Sequence, residues 1–196
     1  MVNKMTIQYI LSICLLALFV LMVLVRSAML RKRGIRAIVF GKTDKSDFIL
    51  VPLVIAIVYA ALANTFGFPM WNVLIRPFWN SEIPGWIGLM LCAISVISFA
   101  LTLMSFGDSF RVGIDENKPD KLITSGMFAI SRNPIYVCFL MFFTGLFLIH
   151  HNIVIAVAVV VFASAIHRQV LREEKFLASF HGEKYDEYCK KVRRYL

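Results

Sequence analysis

Lys121-Leu-Ile-Thr-Ser-Gly-Met-Phe-Ala-Ile-Ser-Arg-Asn-Pro-Ile-Tyr136 is the one long polar-to-apolar joint in a chain otherwise built of apolar runs. Thr124-Ser125-Gly126 is a turn signal, and Arg132 and Asn133 stand directly before Pro134 and a long apolar stretch. Proline suits the first position of a helix, where its missing N–H costs nothing. The order therefore predicts a helix start at Pro134. Arg132 and Asn133 then sit at a helix mouth, with orphan N–H groups and the positive dipole end beside them. An arginine at such a mouth suits a negatively charged group. A plain membrane-entry boundary has the same residues, so the rest of the chain must decide.

The composition points to the membrane. Of 196 residues, 59% are hydrophobic, with mean hydropathy +0.75, well above the ordinary apolar share of about 45–50%. The expectation is an all-α, polytopic integral membrane protein forming a single domain over residues 1–196, with no separate soluble unit. A net charge of +9 reads as cytoplasmic loops and contact with anionic lipid, not as nucleic-acid binding. Cys14, Cys92, Cys138 and Cys189 show no CxxC pairing, and His150, His151, His167 and His181 lack ligand spacing. Neither set predicts a metal site.

Five apolar runs follow in order. Residues 6–25 form a span read as retained, since no small-residue cleavage pattern precedes Arg26. Spans at 48–68 and 84–106 complete an N-terminal part, 1–107. The second part, 108–196, holds the joint, runs at 134–149 and 153–166, and a charged helical tail from His167. The last two runs reach only roughly 20–25 Å each at 1.5 Å per residue, so they read as a tight hairpin turning at His150-His151-Asn152. Loop 26–46 carries seven Lys/Arg and loop 69–83 carries one. The positive-inside rule then puts the N-terminus outside, and the joint and tail together on the cytoplasmic side.

The tail opens His167-Arg168-Gln-Val-Leu-Arg172-Glu173-Glu174-Lys175-Phe-Leu177. Arg168 and Arg172 share a helical face at i,i+4. A solvated helix with local ion pairs would explain these residues alone. Joined to the earlier stretch, they give Gly126-x-Phe128-x-x-x-Arg132-Asn133-Pro134-x-Tyr136, 36 residues, then Glu173-Glu174-x-x-Leu177, and later Gly182, Tyr185, Tyr188, Val192 and Arg194.

This pattern resembles the isoprenylcysteine carboxyl methyltransferase family, whose signature reads G-x-Y-x-x-x-R-H-P-x-Y-x-G, a helical hairpin, then E-E-x-x-L. The likeness covers about residues 108–196 and suits the short prokaryotic, archaeal-type members. The chain departs from the signature at Phe128, Asn133 and Cys138, which stand for tyrosine, histidine and glycine, and at Arg193, where a proline is usual. The resemblance implies methyl transfer from S-adenosylmethionine to the carboxylate of a C-terminal prenylcysteine reached from the bilayer. It implies cofactor contacts at Lys121, Leu122, Ile123, Phe128, Asn133, Pro134, Ile135, Tyr136, Glu173 and Glu174. It places Arg132, Arg168 and Arg172 as candidate catalytic cations, and Gln169 with Arg168 on the substrate side.

The chemistry is self-consistent. An α-carboxyl titrates near pH 3.3–3.7, so the acceptor is ionised at neutral pH and asks for alignment, not for a base. Asn133 cannot shuttle a proton, which such a reaction tolerates. No glycine-rich dinucleotide loop is present, so a Rossmann-type domain is not expected. Alternatives are a phospholipid amine N-methyltransferase of the phosphatidylethanolamine type and a steroid-reductase-like NADPH enzyme. A small transporter or scaffold is disfavoured, because no span carries a charge at its middle.

Overall fold

The computed structural model describes residues 4–32, 50–74, 76–106 and 122–196. Among these residues six α-helices follow in order: α1 Lys4–Lys32, α2 Leu50–Phe66, α3 Ile83–Phe106, α4 Pro134–His150, α5 Ile153–His181 and α6 Glu183–Lys191. A 3-10 turn, Gly126–Ala129, precedes α4. No strand occurs among the described residues. Lys121, most of the basic loop and residues 107–121 of the joint lie outside them.

Helices α1, α3 and α5 are long and apolar enough to cross a membrane, while α2 and α4 have 17 residues each. Large apolar side chains cover the outside, among them Leu24, Ile97, Met104 and Val160. With no water to satisfy backbone groups in a bilayer, helices are the form such segments take. This is the build of an integral membrane protein.

α4 lies at the centre, packed chiefly on α3, with α5 on α2 and α1 on α3. Small residues set the α3–α4 distance. A Cβ on Gly145 would come within 2.6 Å of both the Gly88 carbonyl oxygen and Cys92 Sγ. A Cβ on Gly88 would come within 2.5 Å of the Gly145 carbonyl oxygen. At this approach, side chains of α3 reach the backbone of α4: Ser95 Oγ donates to the Cys138 carbonyl at 2.7 Å. Close packing through small residues drives helix association in lipid, where apolar burial gives little. Phe19 of α1 closes the layer, stacked at 4.4 Å on Phe99 and 4.6 Å from Phe142.

The hairpin turns where the sequence placed it. His151 adopts φ 22°, and Asn152 Oδ1 accepts from the Ile155 N–H at 3.0 Å, capping α5. The tip is buried and pinned from three sides. Ser12 Oγ lies 2.9 Å from His150 Nε2, Asn64 Nδ2 donates to the His150 carbonyl at 3.1 Å, and Trp79 stacks on His151 at 4.7 Å.

The apolar run 153–166 and the charged helical tail from His167 join as one helix, α5, unbroken for 29 residues. Residues 167–181 contain no glycine or proline, so the end of the apolar run is a change of solvent, not of backbone. The break comes at Gly182, φ 53°, whose N–H bonds the Ala178 carbonyl at 3.0 Å. α5 thus carries Glu173 and Glu174 rigidly from the hairpin to the mouth of α4.

Candidate active site

Pro134 is the first residue of α4, as its chemistry dictates. Asn133 occupies the cap position, yet its side chain makes no capping bond. Its backbone N–H donates to Ser131 Oγ at 3.1 Å. Its amide turns outward instead. Nδ2 donates to Glu174 Oε1 at 3.0 Å and to the Arg194 carbonyl at 3.1 Å. An amide nitrogen has two hydrogens, so both are used and the amide orientation is fixed.

Glu174 is 8% exposed and collects three donors. Besides Asn133, Arg132 Nη2 approaches Oε1 at 3.2 Å, and Arg194 Nε donates to Oε2 at 2.9 Å. Such burial of a carboxylate is tolerable only with partners of this kind. Arg132 Nε is buried with no acceptor.

Glu173 points elsewhere. The Tyr136 hydroxyl donates to its Oε1 at 2.6 Å, and Gln169 Nε2 donates to the same oxygen at 3.1 Å. Gln169 sits one turn before Glu173 on α5, and its Oε1 is buried without a donor. Two adjacent glutamates are thus sorted to different partners.

The last residues close over this cluster. The Arg132 N–H donates to the Arg193 carbonyl at 3.0 Å, and Ser131 Oγ donates to the Arg194 carbonyl at 3.3 Å. The Tyr188 hydroxyl of α6 donates to the Phe128 carbonyl at 2.6 Å, locking α6 to the 3-10 turn. Burial pushes the Tyr188 phenol up to about 12. Burial, and then the charge of Glu174, push Tyr185 up as well. Both phenols stay neutral at physiological pH. Gly126, φ 63°, lies so close to Ser105 that a Cβ has no room, and Ser105 Oγ accepts from the Met127 N–H at 3.1 Å. Phe128 then meets Phe106 edge-on at 4.7 Å.

Of the residues singled out by sequence, hydrogen bonds join Arg132 and Asn133 to Glu174, and Tyr136 and Gln169 to the neighbouring Glu173. Phe128, Pro134 and Ile135 are buried, and Leu122 and Ile123 are half-buried before the turn. Arg172 is half-buried on α5 and Arg168 is exposed. Ser131 was not among the candidates, and Tyr185, Tyr188 and Arg194, though part of the sequence pattern, were given no role in the site. The i,i+3 spacing of Tyr185 and Tyr188 in an otherwise charged helix is the signal that could have placed two of them.

The phospholipid methyltransferase family model matches residues 83–184, from the start of α3 into α6. The chain belongs to the phospholipid methyltransferase family. The matched stretch contains Arg132, Asn133, Pro134, Tyr136, Glu173 and Glu174, while Arg194 lies beyond it. Similar proteins include two from rice, Oryza sativa subspecies indica and japonica, each named probable protein-S-isoprenylcysteine O-methyltransferase. Each is 29% identical over 121 residues, covering 60% of this chain and 62% of the relative. The protein-S-isoprenylcysteine O-methyltransferase of Schizosaccharomyces pombe is 27% identical over 135 residues, covering 68% of this chain and 56% of the relative. The chain therefore spans about three fifths of the length of these relatives. The family and the names of its relatives agree with the resemblance carried by the Arg132–Tyr136 and Glu173–Glu174 stretches.

Proposed function

We propose that this member of the family transfers a methyl group from S-adenosylmethionine to the C-terminal carboxylate of a prenylated cysteine, giving a methyl ester. The observation that carries the reading is the state of Asn133. Both its amide hydrogens are committed, to Glu174 and to the Arg194 carbonyl, and an amide does not titrate. The position taken by histidine in the resembling family therefore offers orientation without a base. A carboxylate acceptor needs none, being ionised at neutral pH.

The buried groups fit the cofactor. Gln169 Oε1 lacks a donor and stands beside Glu173. That pair suits the ammonium or ribose hydroxyls of S-adenosylmethionine. Leu122, Ile123, Phe128 and Ile135 offer apolar surface for the adenine, with Lys121 placed there by the resemblance alone. When bound, the cofactor supplies a methyl group already activated on a sulfonium. The protein's part is to hold, align and exclude water. Arg132, whose Nε has no acceptor, faces the acceptor carboxylate. Arg168 and Arg172 guide that anion from the membrane surface.

In this reading all five apolar helices belong to one membrane-embedded domain, with the N-terminus outside. The basic loop, the site and the C-terminus lie on the cytoplasmic side, where a prenylated chain end inserts from the bilayer. The test is transfer of labelled methyl from S-adenosylmethionine to a farnesylcysteine analogue in liposomes. The family's own description favours a second reading, methylation of a phospholipid amine. Label in phosphatidylethanolamine, with none in the farnesylcysteine analogue, would select it.

A further inference from the structure

Glu174 is contested by two guanidinium groups, and the way they divide it is informative. Arg194 Nε takes Oε2 at 2.9 Å. Asn133 Nδ2 takes Oε1 at 3.0 Å. Arg132 reaches the carboxylate through Nη2 alone, at 3.2 Å to Oε1 and 3.4 Å to Oε2, and its Nε stays buried without an acceptor. An arginine alone beside a carboxylate prefers a two-pronged pair. Here that geometry is not adopted: Nη2 alone spans two oxygens that each already hold another donor. One carboxylate faces two positive charges, which leaves one in excess. Arg132 side chain is 11% exposed against 39% for Arg194, so the excess charge is the more deeply set one.

We propose that Arg194 is a positioning residue: by sharing Glu174 it keeps the Arg132 guanidinium from closing on that carboxylate and leaves it available to the carboxylate of the acceptor. The carboxylate acceptor rests on the function proposed above. The division of Glu174 does not.

Arg194 also acts through its backbone, since its carbonyl accepts from Ser131 Oγ and Asn133 Nδ2. Substituting the side chain keeps these bonds, so the guanidinium can be tested apart from the tail's attachment. Without it, Glu174 Oε2 is vacated and Arg132 swings into the paired geometry. The Arg132 guanidinium is then masked.

The test uses the full chain in detergent micelles. Wild type, Arg194→Met and Arg194→Lys are treated with phenylglyoxal, and modification of Arg132 and of exposed Arg76 is followed by peptide mass spectrometry. In Arg194→Met, modification of Arg132 slows at least fivefold and that of Arg76 is unchanged. Arg194→Lys restores most of the Arg132 rate, since a lysine still occupies Oε2. In a Glu174→Gln background, Arg194→Met has no further effect. The kinetic arm reads at least a tenfold rise in KM for the farnesylcysteine analogue in Arg194→Met, with S-adenosylmethionine Kd within threefold. An Arg132 rate equal to wild type in Arg194→Met overturns the proposal. A slowed rate with unchanged KM overturns the link to the acceptor. Should wild type methylate no prenylcysteine, the proposed function falls, and the modification rates still decide the role of Arg194.

Discussion

Asn133 and Glu174 lie 41 residues apart in sequence and are joined by an Nδ2–Oε1 hydrogen bond of 3.0 Å. That contact binds the mouth of α4 to the C-terminal half of α5, and the carbonyl of Arg194 shares the same nitrogen. Two remote sequence signatures are thereby one object, with the C-terminal residues as its third side.

Glu174 is the keystone by donor count. Glu174→Ala leaves the Arg132 and Arg194 guanidinium groups without their carboxylate and takes one of two acceptors from the Asn133 amide; Arg132 and Asn133 are mostly buried. A cost of ~3–5 kcal/mol is expected for breaking a buried charged cluster. Thermal unfolding in detergent should show a clear loss of Tm. Glu173→Ala should instead weaken cofactor binding at least tenfold in calorimetry with a smaller loss of Tm. Lys190→Ala, an exposed tail charge, should change neither, and equal behaviour of Glu173→Ala and Lys190→Ala would contradict the site.

Asn133→Asp and Asn133→His should part company. Aspartate removes both donors and faces Glu174 with a second negative charge, so turnover should fall at least a hundredfold. Histidine retains one donor. Its rate at neutral pH should stay within about tenfold of wild type, since positioning is what the residue supplies. Methyl-transfer rates at saturating cofactor distinguish the two.

The α3–α4 crossing should tolerate no added bulk. Gly145→Leu drives a side chain into the Gly88 carbonyl and Cys92 Sγ. Overpacking a tight interface costs ~1–3 kcal/mol or more. A lowered Tm, with lost activity following loss of fold, is the expected result, and a wild-type Tm would mean the helices do not cross here.

Tyr188 should make the site sensitive to alkali. Its phenol is raised from 10.0 to about 12 by burial, so the neutral form is favoured in the folded state. The sign follows: its contribution is complete below pH 10 and is lost as pH rises toward 12. Tyr188→Phe removes the bond to the Phe128 carbonyl. The variant should be less stable at pH 8 and show a shallower fall in Tm between pH 10 and 12. An equally steep fall would assign the alkaline loss to other groups.

The helices were legible because apolar runs in a membrane protein are long and proline and glycine mark their ends. Pro134 and the His150–Asn152 turn were read directly. The continuity of α5 was not, because polarity changes at His167 while helix propensity does not. The two glutamates and Arg132–Asn133 were legible as a pattern, but not their division of labour. That Glu174 serves Asn133 and Arg132 while Glu173 serves Tyr136 depends on side-chain direction across two helices. Arg194 was the hardest. It stands after α6, beyond any helical periodicity; the sequence marked it only as the end of the pattern, and its bond to Glu174 comes from the fold that brings the chain end over the mouth of α4.

The pH dependence of methyl transfer tests the central claim most directly. With no base at Asn133 and an acceptor carboxylate that is ionised near neutrality, the rate on a farnesylcysteine analogue should be flat from about pH 6 to 8. It should fall only well below pH 5, where the acceptor protonates. The measurement is initial methyl transfer in liposomes at saturating S-adenosylmethionine, under single-turnover conditions so that product release does not enter. A flat profile supports alignment of an ionised acceptor between Arg132 and the cofactor. A rate that climbs steeply through pH 7 on the same substrate contradicts it.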